Sequence, residues 1–207
     1  MSREKTVAGL VLISCITLTG IVFLFAFGDI RLSSSLREFA LNHPLLLEWA
    51  KFISRYGNYF YYSLFLGFFL YGVIRNERKY LKIGILYLAL QIIISVLITR
   101  FLKISIGRPR PGYGFVHHFF SGGYKYESFP SGHAVDASCS AGVLWGFLGS
   151  YLLILLAFLY SLLIGMSRIF LGAHYFLDVI AGMALGFTSG ISITYRFLLK
   201  NQRGAEA

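Results

Sequence analysis

Apolar residues gather in six runs, at 6–27, 59–74, 83–102, 134–148, 151–166 and 179–199, and most of the charge falls between them. A hydrocarbon core of about 30 Å takes about 20 helical residues, with about 17 to 25 usual. The first, third and sixth runs reach that length, while the other three borrow flanking residues or pack inside the bundle. An open strand in lipid leaves its backbone groups unsatisfied, so each run predicts a helix. The pattern therefore predicts an all-α, polytopic membrane protein with six transmembrane helices, forming one domain over residues 1–207.

The first run follows Ser2-Arg3-Glu4-Lys5 and ends near Ala26-Phe27-Gly28, as a secretory signal could. Its apolar part exceeds the about 7–15 residues of a signal core, so it reads as a retained span. Between the first two runs, Leu32, Leu36, Phe39, Leu46, Trp49, Phe52 and Ile53 recur at roughly helical spacing, with Arg37, Glu38, Glu48 and Lys51 between them. Residues 28–58 are thus expected to form one or two amphipathic interfacial helices, broken at Pro44. Such a segment either floors a lipid site or simply shields the bundle.

Composition agrees with a membrane protein: 57% hydrophobic and 14% charged residues, with a mean hydropathy of +0.68. Cys15 and Cys139 both lie in apolar runs and read as small hydrophobes, which suggests neither a disulfide framework nor a metal cage. The net charge of +10 fits cytoplasmic loops and an anionic substrate. No basic stripe between solvated segments suggests nucleic acid as a partner. Arg3 and Lys5, then Arg75, Arg78, Lys79 and Lys82, then Arg196, Lys200 and Arg203 are assigned to the cytoplasm. Parity then puts 28–58, the loop before run four and the loop before run six together on the extracytoplasmic face of the inner membrane.

Those two loops hold three polar islands: Lys103 with Arg110-Pro111, then Pro130-Ser131-Gly132-His133, then Ser167-Arg168 with His174 and Asp178. Charge at membrane depth is expensive and reads as functional. His174 and Asp178 are four residues apart, on one face where a helix begins. A carboxylate accepting from one ring nitrogen fixes the tautomer and leaves the other free to attack. The same pair could serve a metal as an outer support, but the surrounding lysine and arginines repel a cation, so no metal is expected. Ser131 is placed as an N-cap and Gly132 lets backbone approach an anion, so the start of run four offers amides to phosphate oxygens. His133 follows, positioned to protonate a leaving oxygen. Lys103, Arg110 and Arg168 complete a cationic shell able to neutralise a transferring phosphoryl group. Arg100 reads as a side chain snorkelling from the end of run three.

These islands resemble the three signature motifs of the type-2 phosphatidic acid phosphatase superfamily, and every motif position matches. The resemblance covers about residues 103–178 by motif and the chain by its six-span layout. It implies a metal-independent phosphatase without a cofactor, in which His174 becomes a phosphohistidine and Asp178 orients it. His133 would protonate the leaving group and later activate water; Lys103, Arg110, Ser131, Gly132 and Arg168 would hold the phosphate. The implied partner is a membrane phospholipid or lipid-linked phosphate, of the lipid A 1-phosphate, phosphatidylglycerol phosphate or undecaprenyl pyrophosphate type. A lipid-binding or transport protein using the site without hydrolysis is the alternative. In the doubled Arg108-Pro109-Arg110-Pro111, only Arg110 has the family's spacing from Lys103, leaving Arg108 accessory. Arg108, His117, His118, Lys125 and Tyr126 are candidates for headgroup contact in the loop region before run four, or for ordinary wet-loop positions. Asp136 either steadies His133 or hydrogen-bonds inside the bundle. The oligomeric state is left open.

Overall fold

Lipid obliges each segment to satisfy its own backbone, and the chain answers with helices throughout. The computed structural model describes Gly20 and residues 28–206. Among these, α1 spans Asp29–Leu41, α2 Pro44–Ile74, α4 Gly132–Leu148, α5 Tyr151–Phe170 and α6 Phe176–Glu206. The long helix α3 covers Arg78–Ile106 and is wound more widely over Gln91–Ile98, where Thr99 Oγ1 donates to the Ile94 carbonyl at 2.9 Å. One short turn of 3₁₀ helix, Tyr124–Tyr126, interrupts the loop between α3 and α4.

Three of these helices are long and apolar enough to cross a bilayer: α3, α5 and residues Phe176–Leu198 of α6. The first apolar run lies outside the described residues. The second is not a separate helix. Pro44 occupies the first turn of α2, where its missing N–H costs nothing, so the break falls at 42–43 and α2 continues unbroken for 31 residues. The interfacial segment expected over 28–58 is thus α1 plus the charged front half of α2. The fourth run forms α4, only 17 residues long and buried at every position from Ala134 to Phe147. Protein rather than lipid surrounds it, which is why it tolerates Ser138, Ser140 and Asp136. The outward faces of the others carry exposed Leu66, Ile93, Leu97, Leu156 and Leu163, as contact with acyl chains requires.

Hydrocarbon surroundings remove most of the hydrophobic drive between helices, so close packing has to hold them together. Gly182, Gly186 and Gly190 form an i, i+4 stripe on α6 against α4. A Cβ at Gly186 would collide with Ser138 Oγ and the Val135 carbonyl, and one at Gly190 would stand 2.5 Å from the Cys139 carbonyl oxygen. Gly142 and Gly146 answer from α4, facing the Phe187 carbonyl and Thr194. Around this pair, Trp145, Ile164, Ile169, Val179 and Phe187 build one core cluster. Phe65 stacks on Tyr87 at 3.8 Å in the other. A tight turn joins α4 to α5, with Gly149 at φ 67 and Ser150 Oγ accepting from Leu153 N at 3.5 Å.

Two glycines separate packing from propensity. Gly186→Val is expected to cost at least about 3 kcal/mol by overpacking and to destroy the monodisperse folded peak in detergent chromatography. A Cβ added at Gly67 would meet no other atom within 4 Å, so Gly67→Ala should leave the melting temperature unchanged or raise it by the equivalent of up to about 1 kcal/mol.

Candidate active site

The connection 171–175 between α5 and α6 turns at Gly172, whose φ of 64 suits glycine, and delivers His174 beneath the α3–α4 loop. The imidazole is only 2% exposed. Its Nδ1 lies 2.7 Å from the Ser128 carbonyl oxygen and 3.7 Å from Asp178 Oδ2. Nδ1–H therefore donates to Ser128, and this carbonyl fixes the tautomer, with Asp178 behind it. Nε2 is left as the lone-pair nitrogen, 3.4 Å from Arg110 Nη1.

Asp178 is fully buried and ties the site together. Its Oδ2 accepts from Ser128 Oγ at 2.6 Å and from Tyr175 N at 2.8 Å; its Oδ1 pairs with Arg108; its carbonyl accepts from Ser131 N at 2.9 Å. Arg108 also pairs with Asp29 of α1 and lies over the Tyr175 ring. Held between two carboxylates, Arg108 braces the site and has no free fork for a headgroup. Asp29 and Ser33 further cap α6, accepting from Leu177 N at 2.9 Å and Phe176 N at 2.8 Å.

Arg110 is buried against backbone oxygens: those of Tyr124 at 2.8 Å, Ala173 at 2.9 Å and Glu127 at 3.3 Å. Lys103 Nζ reaches the same Glu127 carbonyl at 3.1 Å. Arg100 does not merely snorkel; it pairs with the Glu127 carboxylate at 2.7 Å, which also accepts from Gly123 N at 2.8 Å. Arg168 donates to Ser54 of α2, and its Nε is buried without a partner. Ser131 holds the N-cap position of α4 but makes no side-chain capping bond. Its Oγ is likewise buried and unpartnered. A Cβ on Gly132 would lie 4.0 Å from Lys103 Nζ, so the three islands do converge. Orphaned buried donors are costly, and an anion between them would satisfy them.

His133 lines a cavity of about 660 Å³ between α2, α3 and α4. Asp136 faces that cavity too and bonds within the bundle, accepting from Asn58 Nδ2 at 2.7 Å and from the Tyr62 hydroxyl. In the loop, His117, His118 and Lys125 are exposed. His117 Nδ1 lies 3.2 Å from the Ile106 carbonyl, His118 stacks on Tyr126 at 4.0 Å, and Lys125 sits over Tyr113. They shape the loop surface rather than the cavity. Sequence reasoning missed Ser128, Asp29, Ser33 and Ser54. Only Asp29, an acid at the start of an amphipathic run, carried any local signal.

Burial, with Arg110 and Lys103 nearby, pushes the His174 imidazole down to about 4 even though Asp178 pulls the other way. The ring is neutral at ordinary pH, with its lone pair 3.4 Å from Arg110 Nη1 and Lys103 nearby. Such a centre can bind a phosphoryl group and attack it.

Fold and site together define an all-helical integral membrane protein with a buried histidine among clustered lysine and arginine side chains at one end of its bundle. The chain belongs to the PAP2 superfamily, which residues 84–203 match. Over 105 residues it is 38% identical to a lipid A 1-phosphatase of Rhizobium johnstonii, covering 48% of this chain and 42% of that protein. Over 99 residues it is 34% identical to phosphatidylglycerophosphatase B of Bacillus subtilis, covering 44% and 46%. The chain thus spans under half the length of these curated relatives. The crystal structure of a transmembrane PAP2-type phosphatidylglycerolphosphate phosphatase from Bacillus subtilis shares the fold at a TM-score of 0.62 and 24% identity, covering 92% of this chain and 96% of that one. Aquifex aeolicus LpxE matches at a TM-score of 0.57 and 25% identity, covering 81% and 94%.

The lowered imidazole has a consequence for stability. A free imidazole titrates near about 6.5, so between there and about 4 the unfolded chain binds a proton that the folded chain does not. Stability contributed by this group therefore falls as pH drops through that window. His174→Asn should lose about 3 kcal/mol less than the parent across it, measured by thermal unfolding in detergent. The His174 ring should stay neutral by NMR down to about pH 5.

Proposed function

We propose that this protein is a lipid phosphatase working through a phosphohistidine. The observation that carries the reading is the neutral His174 ring, tautomer-fixed by Ser128, with Nε2 beside Arg110, in a site where Ser131 Oγ and Arg168 Nε are buried without a partner. Lys103, Arg110, Arg168, Ser131 and the Gly132 amide bind the phosphate oxygens. Nε2 attacks phosphorus, the P–O ester bond breaks, and His133 gives its proton to the leaving oxygen. The negative charge of the bound phosphate stabilises the imidazolium that carries this proton. Water then attacks the phosphohistidine, losing its proton to His133, and the P–N bond breaks to release phosphate. Asp178 positions the nucleophile through Ser128 and Tyr175. The cavity beside His133 accepts the lipid laterally, and the lysine and arginines supply the charge neutralisation that other phosphatases take from metals.

The relatives support a lipid substrate, and the lipid A 1-phosphatase similarity supports a glycolipid headgroup. We further read the layout as six spans in the inner membrane, with the site, α1 and the 112–129 loop on the extracytoplasmic face.

His174→Ala should abolish phosphate release from every lipid tested, by at least about a thousandfold, while the folded peak in detergent is retained. His133→Ala should cost about a hundredfold or more on a phosphomonoester and less on a pyrophosphate, whose leaving group is already acidic. Residual full activity in His174→Ala sinks the assignment. Lipid flipping in vesicles without phosphate release favours a transporter instead. Activity should also survive excess EDTA and fall with vanadate; magnesium-restored activity after chelation would refute the cation-only site.

Sidedness is checked with single cysteines in a background lacking Cys15 and Cys139. Gly122→Cys should react with an impermeant thiol reagent in intact cells or spheroplasts, and Asn76→Cys only after lysis. The reverse pattern puts the site in the cytoplasm.

A further inference from the structure

The phosphate site ends at His133, but the polar surface does not. One helical turn further along α4, about 4.5 Å by the helical rise, Asp136 points into the same cavity while only 8% exposed. Both of its neighbouring donors, Asn58 Nδ2 and the Tyr62 hydroxyl, converge on Oδ2. Oδ1 is buried and accepts nothing, and neither does Asn58 Oδ1 beside it; Ser95 Oγ on the α3 wall is also unpartnered. Gln91 Nε2 donates to Ser140 Oγ at 2.9 Å and to the Asp136 backbone carbonyl at 3.4 Å. A buried carboxylate oxygen left without a donor is expensive. The cavity therefore presents two unfilled acceptors, which no cation among the described residues meets, next to the place where the leaving group must lie.

We propose that Asp136 Oδ1 and Asn58 Oδ1 form a subsite that accepts a hydrogen bond from the substrate's leaving group. The subsite selects lipid phosphates bearing a hydroxyl or amide N–H on the carbon next to the one that carries the phosphate. This rests on the phosphatase reading above for the placement of the leaving oxygen at His133. With that oxygen at the start of α4 and the acyl chain running out between α2 and α3, the next one or two carbons lie at the depth of Asp136. A 2-amido sugar phosphate or a glycerol phosphate with a free 2-hydroxyl offers a donor there. A plain alkyl or polyisoprenyl phosphate offers only CH groups and strands both acceptors. Specificity of this kind is strong because the penalty falls on the wrong substrate. It also places substrate choice inside the bundle rather than on the exposed loop carrying His117, His118 and Lys125.

The test uses two non-hydrolysable ligands of equal chain length: an alkylphosphonate, and its 3-hydroxy counterpart, in which a CH2 replaces the leaving oxygen. Their dissociation constants are measured by calorimetry on the purified full chain in detergent. The parent protein should bind the hydroxylated ligand about tenfold tighter, as expected for one hydrogen bond to a charged acceptor. Asp136→Asn keeps an oxygen for Asn58 and Tyr62 and turns an N–H toward the cavity. It should cut the ratio of the two constants to about threefold or less, because its N–H gives the ligand hydroxyl only a neutral hydrogen bond, and a retained monodisperse peak in detergent chromatography reports that the variant is folded. Equal binding by the parent, or binding of neither ligand, overturns the subsite without any variant, and so does a ratio that survives Asp136→Asn. Phosphate release from the matching esters is read separately. A tenfold binding ratio without release upholds the subsite and removes the phosphatase. Equal binding with equal release does the reverse.

Discussion

The α4 and α6 backbones lie against each other, and the active site inherits its geometry from that contact. In lipid the apolar side chains gain little by leaving their surroundings for one another, so two helices stay together where their surfaces come close enough for dispersion along their length. The glycines at 182, 186 and 190 remove the side chains that would hold the axes apart. At the site end of the same seam, Ser131 N donates to the Asp178 carbonyl at 2.9 Å. The start of α4, with its anion-directed amides, is thereby fixed beside the start of α6, which carries the carboxylate. His174 is placed by the short connection that has to join α5 to a helix so positioned.

Asp178 then organises charge. It collects Arg108, Ser128 Oγ and Tyr175 N, which is enough to hold an ionised carboxylate in a fully buried place. Arg108 carries the network on to Asp29, and α1 thereby becomes part of the site although it touches no phosphate group. The three remaining cations, Lys103, Arg110 and Arg168, are positioned mainly by neutral partners, chiefly backbone carbonyls and a serine hydroxyl. Their charge is oriented but not cancelled by a carboxylate of their own. Under the proposed function, a phosphate would supply that counter-charge without first displacing a buried ion pair, which preserves preorganisation.

Much of this was legible along the chain. The helical class followed from run length in lipid, and the three islands from charge where charge is expensive. His174, Asp178, Lys103, Arg110, Arg168, Ser131 and Gly132 are brought to one place. Asp136 bonds within the bundle, as one of its two readings held. Less legible was everything carried by backbone or by generic side chains. The Ser128 carbonyl leaves no trace in residue identity, because every residue has one. Ser54 and Ser33 look like any helix serine. The limits of α2 escaped a hydropathy reading because Glu48, Lys51 and Arg55 interrupt the apolar signal without interrupting the helix.

Sequence alone determined the class of structure and the chemical inventory, since these depend on composition and order. Tertiary structure decided which partner each group takes. It gave the histidine tautomer to a carbonyl instead of the carboxylate four residues away, and it set Arg108 between two carboxylates while leaving Arg110 against His174 Nε2. It also turned Asp136 toward an open cavity. Those choices rest on distances of a few tenths of an ångström between segments far apart in the chain, set by how closely helices pack, and no local pattern encodes them.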